Sequence, residues 1–265
     1  MLLSGRTAVV TGAASGIGRA MAIKAAESGM SLALADIDRN ALEEISSSIG
    51  SKCELILETL DVRNRDSLDS FARRVFDNFG SVALVFANAG IMKAGTSWTL
   101  SAQDWDSVLD INIKGVVHTA SAFIPYLLSQ EQSSRIVITG STSSFLPRPH
   151  LTAYSCSKHA LWGIAEAMQQ ELSEQKCGVN VSFLAPGGVN TPIAESRVHG
   201  DNSERQKSID ELIKAFGMPP ADLAEYAFDA LKKGRFWILP QPQFKGELEN
   251  RVSCLIGEID PAESV

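Results

Sequence analysis

The sequence predicts a single-domain, doubly wound α/β fold: a Rossmann-like parallel sheet of about seven strands with helices on both faces. Three observations carry the expectation. Runs of strand length recur at 7–10, 31–35, 53–57, 83–86, 135–138 and 179–183, most of them apolar at consecutive positions, the mark of strands buried on both faces of a parallel sheet. Segments with helical spacing lie between them, at 17–29, 41–49, 67–79, 105–128 and 153–175, and such alternation folds with right-handed crossovers. The 265 residues, 45% hydrophobic and 21% charged, are enough for one large core.

The first strand runs into Thr11-Gly12-Ala13-Ala14-Ser15-Gly16-Ile17-Gly18, where a helix begins. Glycines allow a tight turn and a close approach of backbone to pyrophosphate. Free N–H groups and the positive end of the helix dipole then face the anion. A strand-to-helix turn in the first βαβ unit is where a dinucleotide site requires these glycines; the competing reading is a turn that only packs helix on strand. The second strand ends at Asp36, where a carboxylate accepts hydrogen bonds from the two hydroxyls of an adenosine ribose. A 2′-phosphate there would meet like charge from Asp36 and Asp38, offset nearby only by Arg39, so NAD is expected over NADP. Asp36 has an alternative reading as the cap of the helix that starts near Asn40.

The helix at 153–175 opens on Tyr154-Ser155-Cys156-Ser157-Lys158, with phenol and ammonium on one face. A neighbouring cation lowers a tyrosine pKa from about 10 and makes it an acid or base usable near neutrality. Taken alone, a pair at this spacing is common and reads more often as a surface feature. Residues 191–217 break the pattern with a polar run containing Gly200-Asp201-Asn202-Ser203. An excursion of this kind lies over the crevice at the carboxyl ends of the strands, so 191–217 is expected to be a substrate lid. A short strand at 236–239 closes one edge. The tail, 240–265, carries a helix from Lys245 to Glu258.

Composition narrows the function classes. Lys and Arg total 24 against 31 Asp and Glu, a net charge of −7, which disfavours a nucleic-acid binder. No segment approaches the roughly 18 consecutive apolar residues of a membrane span, and no signal segment is evident. Cys53, Cys156, Cys177 and Cys254 form no CxxC pair, so neither a disulfide framework nor a metal site is expected, and reduced thiols in a cytoplasmic protein are.

The pattern as a whole resembles the short-chain dehydrogenase/reductase family, nearly to Leu239. The matching pieces are the glycine turn, Asp61-Val62, Asn88-Ala89-Gly90, Asn112, Ser141, Tyr154 with Lys158, and Pro186-Gly187 with Val189 and Thr191. The resemblance implies Tyr154 as general acid/base, Ser141 polarising the reacting oxygen, Lys158 binding the nicotinamide ribose and tuning the tyrosine, and Asn112 supporting a proton relay. It implies NAD held by Gly12, Ser15, Gly16, Ile17, Gly18 and Asp36, with Asp61 and Val62 at the adenine and Asn88, Ala89 and Gly90 along the crevice. Pro186, Gly187, Val189 and Thr191 fall at the carboxamide end. The chain departs from the family at Ala87, where a second asparagine is usual, and in the tail, which lacks a glycine-rich strand motif. A homodimer or homotetramer is implied, and apolar positions such as Val116, Ala120, Ile124, Leu161, Ala165 and Met168 are explained either by subunit contacts or by internal packing.

Substrate-facing candidates follow by position: Ile91, Met92 and Lys93, then Ser143, Phe145 and Leu146, then Gly187, Gly188 and Ile193. His150 reads as a solvated loop residue. Most of these are apolar, which suggests a hydrophobic secondary alcohol or ketone, aromatic ones included, rather than a sugar or a carboxylate, and the segment from Asn190 to Arg197 with the tail is similar to bacterial members of the family that oxidise aryl or benzylic alcohols. The competing functions are an NADPH-dependent ketone reductase and a non-catalytic dinucleotide-binding protein.

Overall fold

The computed structural model describes residues 3–195, Glu211, Ala215 and 217–261. Among these residues one sheet of seven strands forms, every pairing parallel: β1 (Thr7–Thr11), β2 (Ser31–Asp36), β3 (Leu55–Thr59), β4 (Leu84–Ala87), β5 (Ser134–Thr139), β6 (Val179–Leu184) and β7 (Trp237–Ile238). The order is β3-β2-β1-β4-β5-β6-β7. The helices are α1 (Gly16–Glu27), α2 (Arg39–Ile49), α3 (Arg65–Phe79), α4 (Ala102–Leu109), α5 (Gly115–Ser129), α6 (Thr152–Glu174), α7 (Pro220–Lys232) and α8 (Phe244–Ile256).

Consecutive apolar residues do bury both faces. Strand side chains alternate, so Val9 joins Phe71, Phe123 and Leu161 under α3, α5 and α6, whereas Ala8 and Val10 join Met21, Leu42 and Phe228 under α1, α2 and α7. Helix starts are set by short polar side chains: Asp38 accepts from the Ala41 amide, Asn64 accepts from the Ser67 amide, and Ser101 and Asp104 cap reciprocally. Val116, Ala120, Leu161 and Ala165 are buried within the chain; internal packing accounts for them.

Two elements depart most from expectation. β3 begins at Leu55 rather than residue 53 and ends in Glu58-Thr59; as an edge strand it half-exposes its side chains, so its last residues are polar. The helix expected at 105–128 is two helices joined by a π-helical turn, Asp110–Lys114. Residues 196–210, 212–214 and 216, most of the expected lid, and 262–265 of the tail lie outside the described residues. No described helix is long and apolar enough to cross a membrane.

Candidate active site

β1 and β4 are neighbours whose following segments leave in opposite directions, and the carboxyl ends at such a switch point open a crevice. There a cavity of about 550 Å³ reaches from Asp36 and Asp61 to Leu151 and Phe244. At its first end, Gly12 and Gly16 hold φ of +65° and +51°, the left-handed region that favours glycine. A Cβ on Gly12 would fall 2.8 Å from Ala89 Cα, and one on Gly18 would fall 1.9 Å from the Gly12 carbonyl oxygen. Gly18 therefore packs α1 onto the turn, while Gly12, Ser15, Gly16 and Ile17 line the cavity. α1 starts there with no capping side chain at Ser15 and no acidic residue in its first turn, which leaves its leading amides for an anion.

Asp36 is fixed at the end of β2: Oδ2 accepts from the Ala14 amide at 2.9 Å and Oδ1 from the Asp38 amide at 3.1 Å. The cap of α2 is Asp38, which removes the alternative reading of Asp36. Asp61 is gripped by the Arg63 guanidinium, with Nε at 2.8 Å and Nη2 at 2.5 Å from Oδ2; this bonding holds the Asp61 carboxyl below the usual range. Val62 and Ile37 line the cavity beside it. Asn88 ties three strand ends together. Its Nδ2 donates to the Thr11 and Gly12 carbonyls at 3.2 and 3.3 Å, and its Oδ1 accepts from Thr139 Oγ1 at 3.2 Å. Ala89 and Gly90 follow along the cavity wall.

At the other end, Ser141 follows β5 and Tyr154 and Lys158 lie on the first turns of α6; all three are buried and line the cavity. Burial raises the Tyr154 pKa, and a side-chain hydrogen bond with Ser141 pulls it back down. Burial lowers Lys158 to about 8. Its Nζ donates to the Thr139 carbonyl at 2.8 Å and sits 5.6 Å from the Tyr154 ring centroid. Asn112 lies in the π-helical turn, a distortion often found at functional sites. Its side chain is engaged behind the cavity: Oδ1 accepts from the Ile91 amide at 2.8 Å, and Nδ2 donates to the Ile91 carbonyl at 3.0 Å and to Ser157 Oγ at 2.9 Å.

Pro186, Gly187, Gly188, Val189 and Thr191 line the cavity after β6, and Ser143 and Ile193 join them. Phe145 is the correction: its ring packs 4.9 Å from Trp162, 6.0 Å from Phe183 and 6.1 Å from Trp237, centroid to centroid. An aromatic side chain gains more from such a cluster than from a polar loop, and Leu146 is buried with it. Lys93 pairs with Asp104. His150 is half-buried with φ of +65° rather than solvated. Arg63, Arg148, Leu151 and Phe244 line the cavity without a sequence signal that marks them. No group of metal-ligating side chains occurs among the described residues.

The turn that a Cβ would fill, the uncapped start of α1 and the fixed Asp36 carboxylate fit a dinucleotide. Comparison with known proteins agrees. The family model for short chain dehydrogenases matches residues 6–202. A short chain dehydrogenase/reductase from Burkholderia phymatum, solved in complex with NAD, is 31% identical, with each chain covered to 98% and a TM-score of 0.94. An alcohol dehydrogenase from the archaeon Thermococcus sibiricus, solved with 5-hydroxy-NADP, is 28% identical over 86% of this chain and 90% of that one, with a TM-score of 0.73. A Lactiplantibacillus plantarum protein described as a CLA biosynthesis dehydrogenase/reductase is 28% identical over 267 residues, 95% of this chain and 93% of that protein.

Proposed function

The chain belongs to the short-chain dehydrogenase family, and from that footing we propose that it is an NAD-dependent oxidoreductase that interconverts a hydrophobic secondary alcohol, aromatic ones included, and its ketone. The observation that carries the reading is the meeting of Ser141, Tyr154 and Lys158 at one end of a cavity whose other end presents the glycine turn and Asp36.

NAD, when bound, supplies the hydride acceptor for oxidation and, reduced, the donor for the reverse reaction. In oxidation the Tyr154 phenolate oxygen takes the proton of the substrate hydroxyl; in reduction the phenol returns it to the carbonyl oxygen. Ser141 Oγ donates a hydrogen bond to that oxygen and holds it beside Tyr154. Burial opposes both a lone phenolate and a lone ammonium, so the Lys158 charge offsets the phenolate when both are present. Asn112 acts as a positioning residue, fixing Ile91 at the cavity wall and Ser157 on α6.

Asp36 supports NAD over NADP, because its carboxylate stands where a 2′-phosphate would have to approach. Arg39, the nearby cation, is paired with Glu43 at 2.9 Å. The apolar lining at Ile91, Met92, Leu151 and Ile193 supports a hydrophobic substrate. We place the protein in the cytoplasm as a homodimer or homotetramer; four unpaired cysteines and exposed Trp98, Leu255 and Ile256 support this.

NADH absorbance followed with secondary aryl, alicyclic and steroid alcohols, each with NAD and with NADP, tests the reading. NAD-dependent turnover of the apolar alcohols is expected. Preferential turnover with NADP, or nucleotide binding with no turnover of any alcohol or ketone, contradicts it.

A further inference from the structure

The proposed function leaves the segment beyond β7 unused, yet this segment reaches the cavity. Phe244, the first residue of α8, lines it. Gly187, in the loop after β6, makes room for the ring: a Cβ there would fall 2.6 Å from Phe244 Cζ and 2.7 Å from Cε2. Gln241, which is buried, pins the same loop, its Oε1 accepting from the Gly187 amide at 2.9 Å and its Nε2 lying 3.5 Å from the Gly188 carbonyl oxygen. Three residues past Phe244, Glu247 pairs with Arg148 of the cavity wall at 2.8 Å. Leu248, on the same face, packs against the core. α8 is thus fastened at its cavity end, while Leu255 and Ile256 at its far end are 77% and 78% exposed.

We propose that Phe244 is a specificity-determining residue. Phe244 forms part of the apolar wall of the substrate half of the cavity, beside the cluster of Met92, Leu151, Tyr154 and Ile193. It selects alcohols and ketones that carry a flat apolar group. Gln241 and the Arg148–Glu247 pair position the ring by holding α8 against the loop after β6. The proposal rests on the oxidoreductase reading for the identity of the ligand.

The test is calorimetric titration of 2-acetylnaphthalene into the NADH-loaded protein, with NADH affinity measured separately. Phe244→Ala is expected to weaken the ketone at least about tenfold and to leave NADH affinity within about twofold, since covering the half-buried ring with an apolar ligand contributes on that scale. Phe244→Leu, which keeps an apolar side chain on α8, is expected to lose affinity less, and serves if the alanine variant fails to fold. Leu255→Ala, at the exposed end of the helix, leaves both affinities unchanged. Wild-type ketone affinity in the Phe244 variants, a wild type that does not bind the ketone, or a parallel loss of NADH affinity overturns the proposal. A wild type that binds no NADH sinks the oxidoreductase reading instead, and the same titration without nucleotide still decides whether Phe244 forms part of the wall.

Discussion

Replacing Lys158 with Met should stabilise the protein while destroying its activity. The ammonium is buried and its pKa falls from 10.5 to about 8, so the folded chain holds this proton less tightly than the unfolded chain does. Below the folded value both states are protonated and the full burial penalty is present; it is relieved as pH rises from about 8 towards 10.5. At about 1.4 kcal/mol per pKa unit the penalty is about 3 kcal/mol near neutrality. Loss of the Lys158 bond to the Thr139 carbonyl returns about 1 kcal/mol of this. The expected net gain for Lys158→Met is therefore about 2 kcal/mol at about pH 7 and close to zero at about pH 9.5. Urea denaturation of the nucleotide-free proteins at both pH values measures it. A variant less stable than wild type near neutrality, or a gap that does not change with pH, refutes the reasoning.

The pH dependence of turnover follows from Tyr154, whose raised pKa makes the base form scarce: steady-state rates of alcohol oxidation should climb with pH from neutrality, and rates of ketone reduction should not. Asp36→Asn keeps an acceptor but removes the charge, so the dissociation constant for NAD should rise about tenfold and that for NADP should fall, measured by fluorescence titration. Asn112→Ala removes the three hydrogen bonds of a buried side chain and should cost about 2–4 kcal/mol in denaturant unfolding. Gly18→Ala would set a methyl against the Gly12 carbonyl and should cost at least about 1–3 kcal/mol in the same assay, with weaker nucleotide binding because the turn must move.

The parts of the site read from sequence are those whose chemistry depends on local spacing. The glycine turn is marked by positive φ at Gly12 and Gly16, and Tyr154 and Lys158 meet because one helical turn separates them. Asp36 is found by its place at the end of β2, and the structure adds the two amides that hold it. Long-range contacts leave no such mark. Phe145 follows Ser141 closely in sequence, yet its ring is drawn into a cluster with Trp162, Phe183 and Trp237, chosen by packing rather than order. Phe244 and Arg148 lie far apart in the chain and meet at the cavity because α8 docks against the loop between β5 and α6. The π-helical turn at Asn112 is equally silent, since the apolar period runs on through it. β3 slips by two residues because an edge strand needs no second apolar face.

The central claim is that Tyr154 transfers the substrate proton in a nicotinamide-dependent reaction. Its most direct test is the steady-state rate of NADH formation by Tyr154→Phe and wild type on the best alcohol of the panel, with NADH affinity measured alongside. The account predicts unchanged NADH affinity and a fall in turnover of about 10²–10⁴-fold, the scale of a lost general acid/base. Undiminished turnover in the variant contradicts it.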